Sequence, residues 1–434
     1  MTINGPDVPE RPDVRDSTPG DEIAVPTASS RPRCESRNRR RRGGLLRRIA
    51  FSVVTVLTGL LFLAGIDHLA DWMRPLPLTE SLLFPGNSRF VHDSCEFHVT
   101  VATSRQGLRD REFSINPPSG TVRIVAVGDS FTFGWGVEAE QSWPKVLEHL
   151  LNQPGTISPE SDSGRVEVLN FGVPGTSPIQ YAGAAEKALR HFHPQLLIIG
   201  TLQGDDLIQL AEASDPPRVS ATAIVRSLYP TAWRLLHRRK PPEPMVSYRR
   251  TFLMSQQYIR STFTHRQAAR YRSLPAEVRS CFEKGLLNPT VIQTAITRPN
   301  HFLTPLRTDD AWRESVIRKL HRCLSQIRRA CQRHDCRLVV AVVPYGPYVS
   351  RSAIEGLRTV GFSVDDDLLT TQEPDRIVQD VCAGLGIECF VQTREFRNAA
   401  EPRYFLWDGH FNRTGHAKFA SGLAKQLSSE PVTE

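Results

Sequence analysis

Nucleophilic acyl transfer needs a hydroxyl, an imidazole to deprotonate it and a carboxylate to orient the imidazole. Two distant stretches of this chain offer that set. An apolar run, Val122–Val127, stops at Gly128-Asp129-Ser130, and Asp408-Gly409-His410 lies near the other end. A free serine hydroxyl is a weak nucleophile at neutral pH, so Ser130 alone implies no chemistry. The strand-end position is what matters. Val122–Val127 reads as a strand buried on both faces, and a residue just beyond the C-terminal end of such a strand lies in the crevice where open α/β sheets bind ligands. The backbone N–H of Ser130, in a turn leading to a helix, is placed to face a developing oxyanion. Asp408 and His410 are two residues apart, so in a loop both side chains can turn to one side. The competing readings are structural: Asp129 or Ser130 capping the next helix, and Asn412 or Thr414 capping a helix over Gly415–Leu427.

The elements that must carry these residues follow a regular alternation. Strands are expected at Val122–Val127, Val166–Asn170, Gln195–Gly200, Arg337–Val343 and Ile387–Val391. Helices are expected at Gln141–Leu151, Ile179–His191, Ile317–Arg333, Asp375–Leu385 and Gly415–Leu427. In the fourth strand-flanking helix pattern, Ile317, Leu320, Leu324, Ile327 and Cys331 recur at helical spacing. Strands alternating with helices imply a parallel sheet covered on both faces, and right-handed crossovers favour a flavodoxin-like order. The expected fold class is α/β: a three-layer sandwich around a five-stranded parallel sheet. Residues 211–308 break the rhythm far beyond an ordinary loop and read as an insertion, either a lid or acceptor-binding subdomain or a helical embellishment.

Four blocks in order make the chain resemble the SGNH (GDSL-like) hydrolase superfamily. They are Val127-Gly128-Asp129-Ser130-Phe131-Thr132-Phe133-Gly134, Leu169-Asn170-Phe171-Gly172-Val173-Pro174-Gly175, Gly204-Asp205-Asp206-Leu207 and Asp408-Gly409-His410-Phe411-Asn412. The resemblance covers roughly residues 116–426. It implies Ser130 as nucleophile, His410 as base, Asp408 as its orienter, and the N–H groups of Ser130 and Gly172 as oxyanion donors. No cofactor is expected, and the lack of a Cys-x-x-Cys pair gives a structural zinc site little support. The third block departs from the family, since Asp205 stands where an asparagine donor is expected. An ionised aspartate only accepts hydrogen bonds. Three readings stay open for Asp205: a protonated donor, a side chain turned away, or a slow site. The reading taken is an altered but working esterase, with an O-acyltransferase and a non-catalytic glycan-binding protein as alternatives.

The rest of the chain bounds where this chemistry happens. The 434 residues carry a net charge of +8, and Arg31–Arg48 accounts for it with nine arginines and one acid, Glu35 (9 − 1 = +8). The remainder is near neutral, so no nucleic-acid partner is expected. Residues 1–48 read as a cytoplasmic basic tail, disordered at its start. Ile49–Ile66 is an uncharged apolar run of eighteen residues, long enough to span a bilayer as a transmembrane helix, with Trp72 at the interface. Arginines before the run keep the N-terminus in the cytoplasm and place the chain after Asp67 outside. The expected partners are thus the membrane and an ester substrate, a glycan or a lipid of the envelope. Residues 67–118 are expected as a connector with short strands, in which Asp110-Arg111-Glu112 reads as a solvated turn, and residues 119–430 as the hydrolase-like domain. Eight cysteines suit an exported protein, with Cys331/Cys336 and Cys382/Cys389 as candidate local disulfides.

Overall fold

The computed structural model describes residues 35–73, 84–154, 165–214, 221–237, 247–306, 310–397 and 400–429. The expected disordered start, Cys34, and the basic Arg238-Arg239-Lys240 stretch lie outside these residues. The chain divides into two compact units. One holds the helix Glu35–Met73 and two short helices, Ala221–Leu228 and Pro230–Leu236. Within the long helix, Arg47–Ala70 is 24 residues long and apolar enough to cross a membrane by length and composition. Its Phe51, Leu61 and Phe62 side chains are exposed.

The second unit is built on two sheets. A ribbon pairs β1 (Arg89–Asp93) with β2 (His98–Ala102) in antiparallel fashion. The main sheet contains β3 (Thr121–Gly128), β4 (Arg165–Gly172), β5 (Leu196–Leu202), β6 (Arg337–Val343) and β7 (Glu388–Val391). All its pairings are parallel and the spatial order is β4-β3-β5-β6-β7, the expected flavodoxin-like arrangement. Alternate strand residues feed two cores, which is why these strands read as unbroken apolar runs. Ile124, Ala126, Ile198 and Val339 pack with Trp143 and Leu147 of the helix Trp143–Leu151 and with Phe419 of the helix Arg413–Ser429. Val125, Val127, Ile199 and Val340 pack with the helices Pro178–Phe192, Asp310–Arg333 and Glu373–Leu385 on the other face.

Residues 211–308 are not one body. Ala221–Leu236 belongs with the long apolar helix, whereas the helices Tyr248–Thr262, His265–Arg272, Ala276–Glu283 and Pro289–Thr297 belong with the sheet. Val278, Phe282, Ile292 and Phe302 extend the core on the Trp143 face, which fixes this stretch beside the strand ends.

Two expectations are corrected. Asp110-Arg111-Glu112 is not a solvated turn: Asp110 is buried, accepts from Lys145 Nζ at 2.9 Å and from Asn170 N at 3.0 Å. Lys145 also reaches Glu148 at 2.9 Å, and Arg111 pairs with Glu148 at 2.5 Å. A buried lysine needs such partners to stay charged, and a short polar tripeptide carries no trace of them. Nor do the cysteines pair locally. Cys95 is bonded to Cys281 across 186 residues, while Cys331, Cys336, Cys382 and Cys389 are free thiols.

Candidate active site

The site is assembled at the C-terminal edge of the main sheet. β3 ends at Gly128, and Ser130 opens the one-turn helix Ser130–Phe133, whose N-cap Asp129 accepts from Phe131 N at 2.9 Å. Gly134 closes that turn in the left-handed region (φ 86°), a conformation that costs glycine little. The turn is held from below by Arg109. Its buried guanidinium donates to the carbonyls of Phe133, at 3.2 Å, and of Gly134 and Val137, and burial lowers its pKa to about 10.

Ser130, His410 and Asp408 meet. The Ser130 hydroxyl lies 2.7 Å from His410 Nε2, and His410 Nδ1 lies 2.6 Å from Asp408 Oδ1. With the imidazole neutral, this geometry has the hydroxyl donating to Nε2 and Nδ1–H donating to the carboxylate. Trp135 Nε1–H donates to the second oxygen, Asp408 Oδ2, at 3.1 Å. Burial pushes the Asp408 carboxyl up, but the imidazole and the indole N–H outweigh it and hold it below the usual carboxylate range. The imidazole is also confined by rings, with Phe131 at 4.8 Å and Trp135 at 5.5 Å between centroids.

The loop bearing Asp408 is fixed by a residue that no sequence motif marks. Glu96, between β1 and β2, accepts three consecutive backbone N–H groups. The distances are 2.5 Å from Leu406, 3.1 and 3.2 Å from Trp407, and 2.8 Å from Asp408. Burial raises the Glu96 carboxyl and the nearby Asp408 charge adds to it, while the three N–H donors pull it down. The neighbouring Cys95 is the residue bonded to Cys281.

The expected oxyanion residues separate. Ser130 lines a cleft of about 200 Å³ together with His410, Asp408 and Asp205. No hydrogen bond among the described residues takes up the Ser130 N–H. Gly172 does not fit the expected role, because its N–H is spent on Asn170 Oδ1 at 2.9 Å. Its missing side chain serves packing instead, since a Cβ there would collide with the backbone N of Phe133. Gly175, three residues on, lines the cleft with φ 77°, and its N–H is likewise untaken among the described residues.

Asp205 lines the same cleft, and both its oxygens act as acceptors. Oδ1 lies 3.0 Å from His301 Nε2 and Oδ2 accepts from Gln209 Nε2 at 2.6 Å. Asp205 is the first residue of the helix Asp205–Glu212 and does not cap it; Gly204 holds the N-cap position. His301 comes from the 211–308 stretch, which also supplies Thr290, Val291, Thr294 and Phe302 to the cleft wall. Two further buried acids lie close by. Burial raises Asp129 to about 7, with the Asp205 charge acting the same way and His410 opposing. Burial and the charge of Asp129 raise Asp206 well above the carboxylate range, and Asp206 accepts from Leu202 N at 2.9 Å and from Tyr181 Oη at 3.1 Å.

Comparison with known proteins adds a family. The family described as GDSL-like lipase/acylhydrolase matches residues 124–423. Among solved structures, the chain is similar to a lipase/acylhydrolase from Enterococcus faecalis at 12% identity, covering 71% of this chain and 96% of that one, with a TM-score of 0.33. It is similar to an acetyl xylan esterase at 9% identity, covering 70% and 100%, with a TM-score of 0.35. A protein named TesA matches at 11% identity, covering 70% and 97%, with a TM-score of 0.34. No curated protein matches the chain.

Proposed function

Because this chain belongs to the GDSL-like lipase/acylhydrolase family, we propose that it is a membrane-tethered serine esterase that works through Ser130, His410 and Asp408. The observation that carries this reading is the continuous relay from Ser130 Oγ to His410 at 2.7 Å and from His410 to Asp408 at 2.6 Å. Ser130 Oγ attacks the ester carbonyl as its proton passes to His410 Nε2. The imidazolium is stabilised by Asp408 and then protonates the departing alkoxide, leaving an acyl-enzyme. Water, deprotonated by His410, attacks the acyl carbon and releases the acid. The oxyanion is met by the N–H groups of Ser130 and Gly175; the latter replaces Gly172 in this role. The cleft of about 200 Å³ is below the roughly 300–1,000 Å³ typical for drug-sized ligands, which favours a short acyl group.

Location narrows the substrate. The arginine-rich segment before the apolar helix supports a catalytic unit outside the cytoplasm. A disulfide between Cys95 and Cys281 supports an oxidising compartment. Esters of envelope glycans or lipids are the substrates within reach of an enzyme anchored there. One feature favours a second reading, transfer of the acyl group to a hydroxyl. Asp205 and His301 form an acid–base pair in the cleft wall, and such a pair can hold an acceptor alcohol where hydrolysis needs only water.

The test is turnover of p-nitrophenyl acetate by the full chain in detergent, with a fluorophosphonate adduct located by mass spectrometry. The adduct falls on Ser130, and Ser130→Ala abolishes both signals. Turnover that survives Ser130→Ala sinks the mechanism, and no turnover or adduct at all leaves the glycan-binding alternative standing. Acylated product on an added sugar selects transfer over hydrolysis.

A further inference from the structure

The segment Ala221–Leu236 has an unusual composition for an exposed part of an insertion. It contains no acidic residue, while Ile224, Val225, Leu228, Leu235 and Leu236 are apolar and exposed, Leu236 at 81%. A hairpin that presents this much apolar surface needs an occupant.

Its attachment to the long helix indicates which one. The Tyr229 hydroxyl donates to the carbonyl of Leu60 at 2.8 Å. The backbone N–H groups of Thr231 and Ala232 donate to the two carboxylate oxygens of Asp67 at 2.8 and 2.9 Å, and the Thr231 hydroxyl donates to the Asp67 carbonyl at 3.1 Å. The first N–H groups of a helix have no partner within it. Here Asp67 supplies that partner from another element, as an apolar medium requires of backbone groups. Depth follows from helix geometry. Leu60 lies ten residues before Ala70, the end of the apolar stretch, which is about 15 Å at 1.5 Å per residue. That is about half of a 30 Å hydrocarbon core. The Asp67 contact lies three residues before Ala70, about 4.5 Å by the same rise, so the hairpin meets the long helix between these two depths, the stretch that holds the exposed Leu61 and Phe62.

We propose that Ala221–Leu236 is a membrane-inserted hairpin that lies in one leaflet beside the Asp67 end of the span, with lipid acyl chains covering its apolar face. This rests on the reading of Arg47–Ala70 as a span. Arg226 is exposed on the hairpin, and a long basic side chain there can extend to headgroups.

The full chain is reconstituted into phosphatidylethanolamine–phosphatidylglycerol vesicles whose acyl chains carry bromine. An environment-sensitive fluorescent amino acid is placed, one position at a time, at Leu57, Ile224, Leu236 and the exposed Glu277. Quenching at Leu57, Ile224 and Leu236 is expected to exceed that at Glu277 at least threefold, and agreement between Ile224 and Leu236 guards against a local disturbance at either. Strong quenching at Leu57 with Ile224 and Leu236 as weak as Glu277 overturns the hairpin and keeps the span. Crosslinking of Leu236 to a second copy or another protein in place of lipid also overturns it. Weak quenching at all four positions removes the span itself, and the hairpin with it.

Discussion

Replacing Glu96 tests whether the carboxylate of the relay must be held from outside its own loop. Glu96 takes three successive N–H groups on two oxygens, with Leu406 N on Oε1, Asp408 N on Oε2 and Trp407 N shared. Glu96→Gln keeps one accepting oxygen and turns the other into an NH₂ group. That group then faces an N–H donor, either of Leu406 or of Asp408, and one charge-assisted hydrogen bond is lost. Such a bond contributes about 1.5–3 kcal/mol. If the loop shifts to relieve the donor–donor clash, that energy is drawn from the positioning of Asp408 against His410, and 1.4 kcal/mol corresponds to tenfold in rate.

The expected result is a fall in kcat of roughly ten- to a hundredfold with p-nitrophenyl acetate, with KM nearly unchanged, because Glu96 does not line the cleft. Glu96→Ala leaves all three N–H groups without this partner and lowers kcat further. The distinguishing readout is the pH profile of kcat/KM. Asp408 that no longer faces His410 squarely stabilises the imidazolium less, so the profile departs from that of the wild type. A variant that unfolds at lower urea concentration yet retains wild-type kcat and pH profile would show that Glu96 serves the fold alone and does not position Asp408.

Three other outcomes are expected. His301→Ala removes one of the two donors to Asp205 and leaves a less compensated carboxylate in the cleft, so kcat/KM falls about tenfold or more. Adding Asp205→Asn to that variant restores the rate, and Asp205→Asn alone raises it at neutral pH. A flat response in both means that this side chain does not face the oxyanion. Replacing Cys95 and Cys281 by serine releases a closure spanning 186 residues and lowers unfolding free energy by about 2–5 kcal/mol in urea titrations. Full retention of stability contradicts this. Finally, burial lowers His416 to about 3, helped by the positive charges of Arg109 and His410, and its Nδ1 accepts from Trp143 N at 3.2 Å. An unfolded histidine binds its proton near pH 6.5. Between those values the unfolded chain holds the extra proton, so stability rises with pH and is lost as pH falls from about 6.5 towards 3. His416→Asn, which keeps an acceptor, should flatten the acid slope by up to about 1.4 kcal/mol per pH unit, measured as urea midpoints.

What the sequence disclosed and what it hid follow from one distinction. β3 was legible because a strand covered on both faces must be apolar at every position, and its end at Gly128-Asp129-Ser130 is a local event. Asp408 and His410 were legible because the block Asp408-Gly409-His410-Phe411-Asn412 comes last in the order of four that carries the resemblance. Glu96 was not, because its meaning lies 310 residues away in the backbone of Leu406–Asp408, and an exposed-looking glutamate between two short strands carries no mark of that. The disulfide was hidden for the same reason. Proximity in sequence favours Cys331/Cys336, yet spacing does not decide pairing when a 186-residue closure brings Cys95 to Cys281.

The two glycines of the second block make the case sharper, because both are local and they still could not be told apart by type. Gly172 ends a strand where a Cβ would strike the backbone of the one-turn helix Ser130–Phe133, so its glycine is demanded by packing. Gly175 has open space around it and a φ of 77°, so its glycine is demanded by the turn that carries its N–H to the cleft. A sequence records only that glycine is needed. It does not record whether the need comes from volume or from a dihedral angle, and here only the dihedral angle leaves an N–H free for chemistry. The same ambiguity governs Asp205. Read alone, it is a lost donor; read with His301, which arrives from a stretch with no motif of its own, it is half of a pair. On the proposed reading, Asp205 of the altered third block and His301 of the inserted helices therefore act together in the cleft wall.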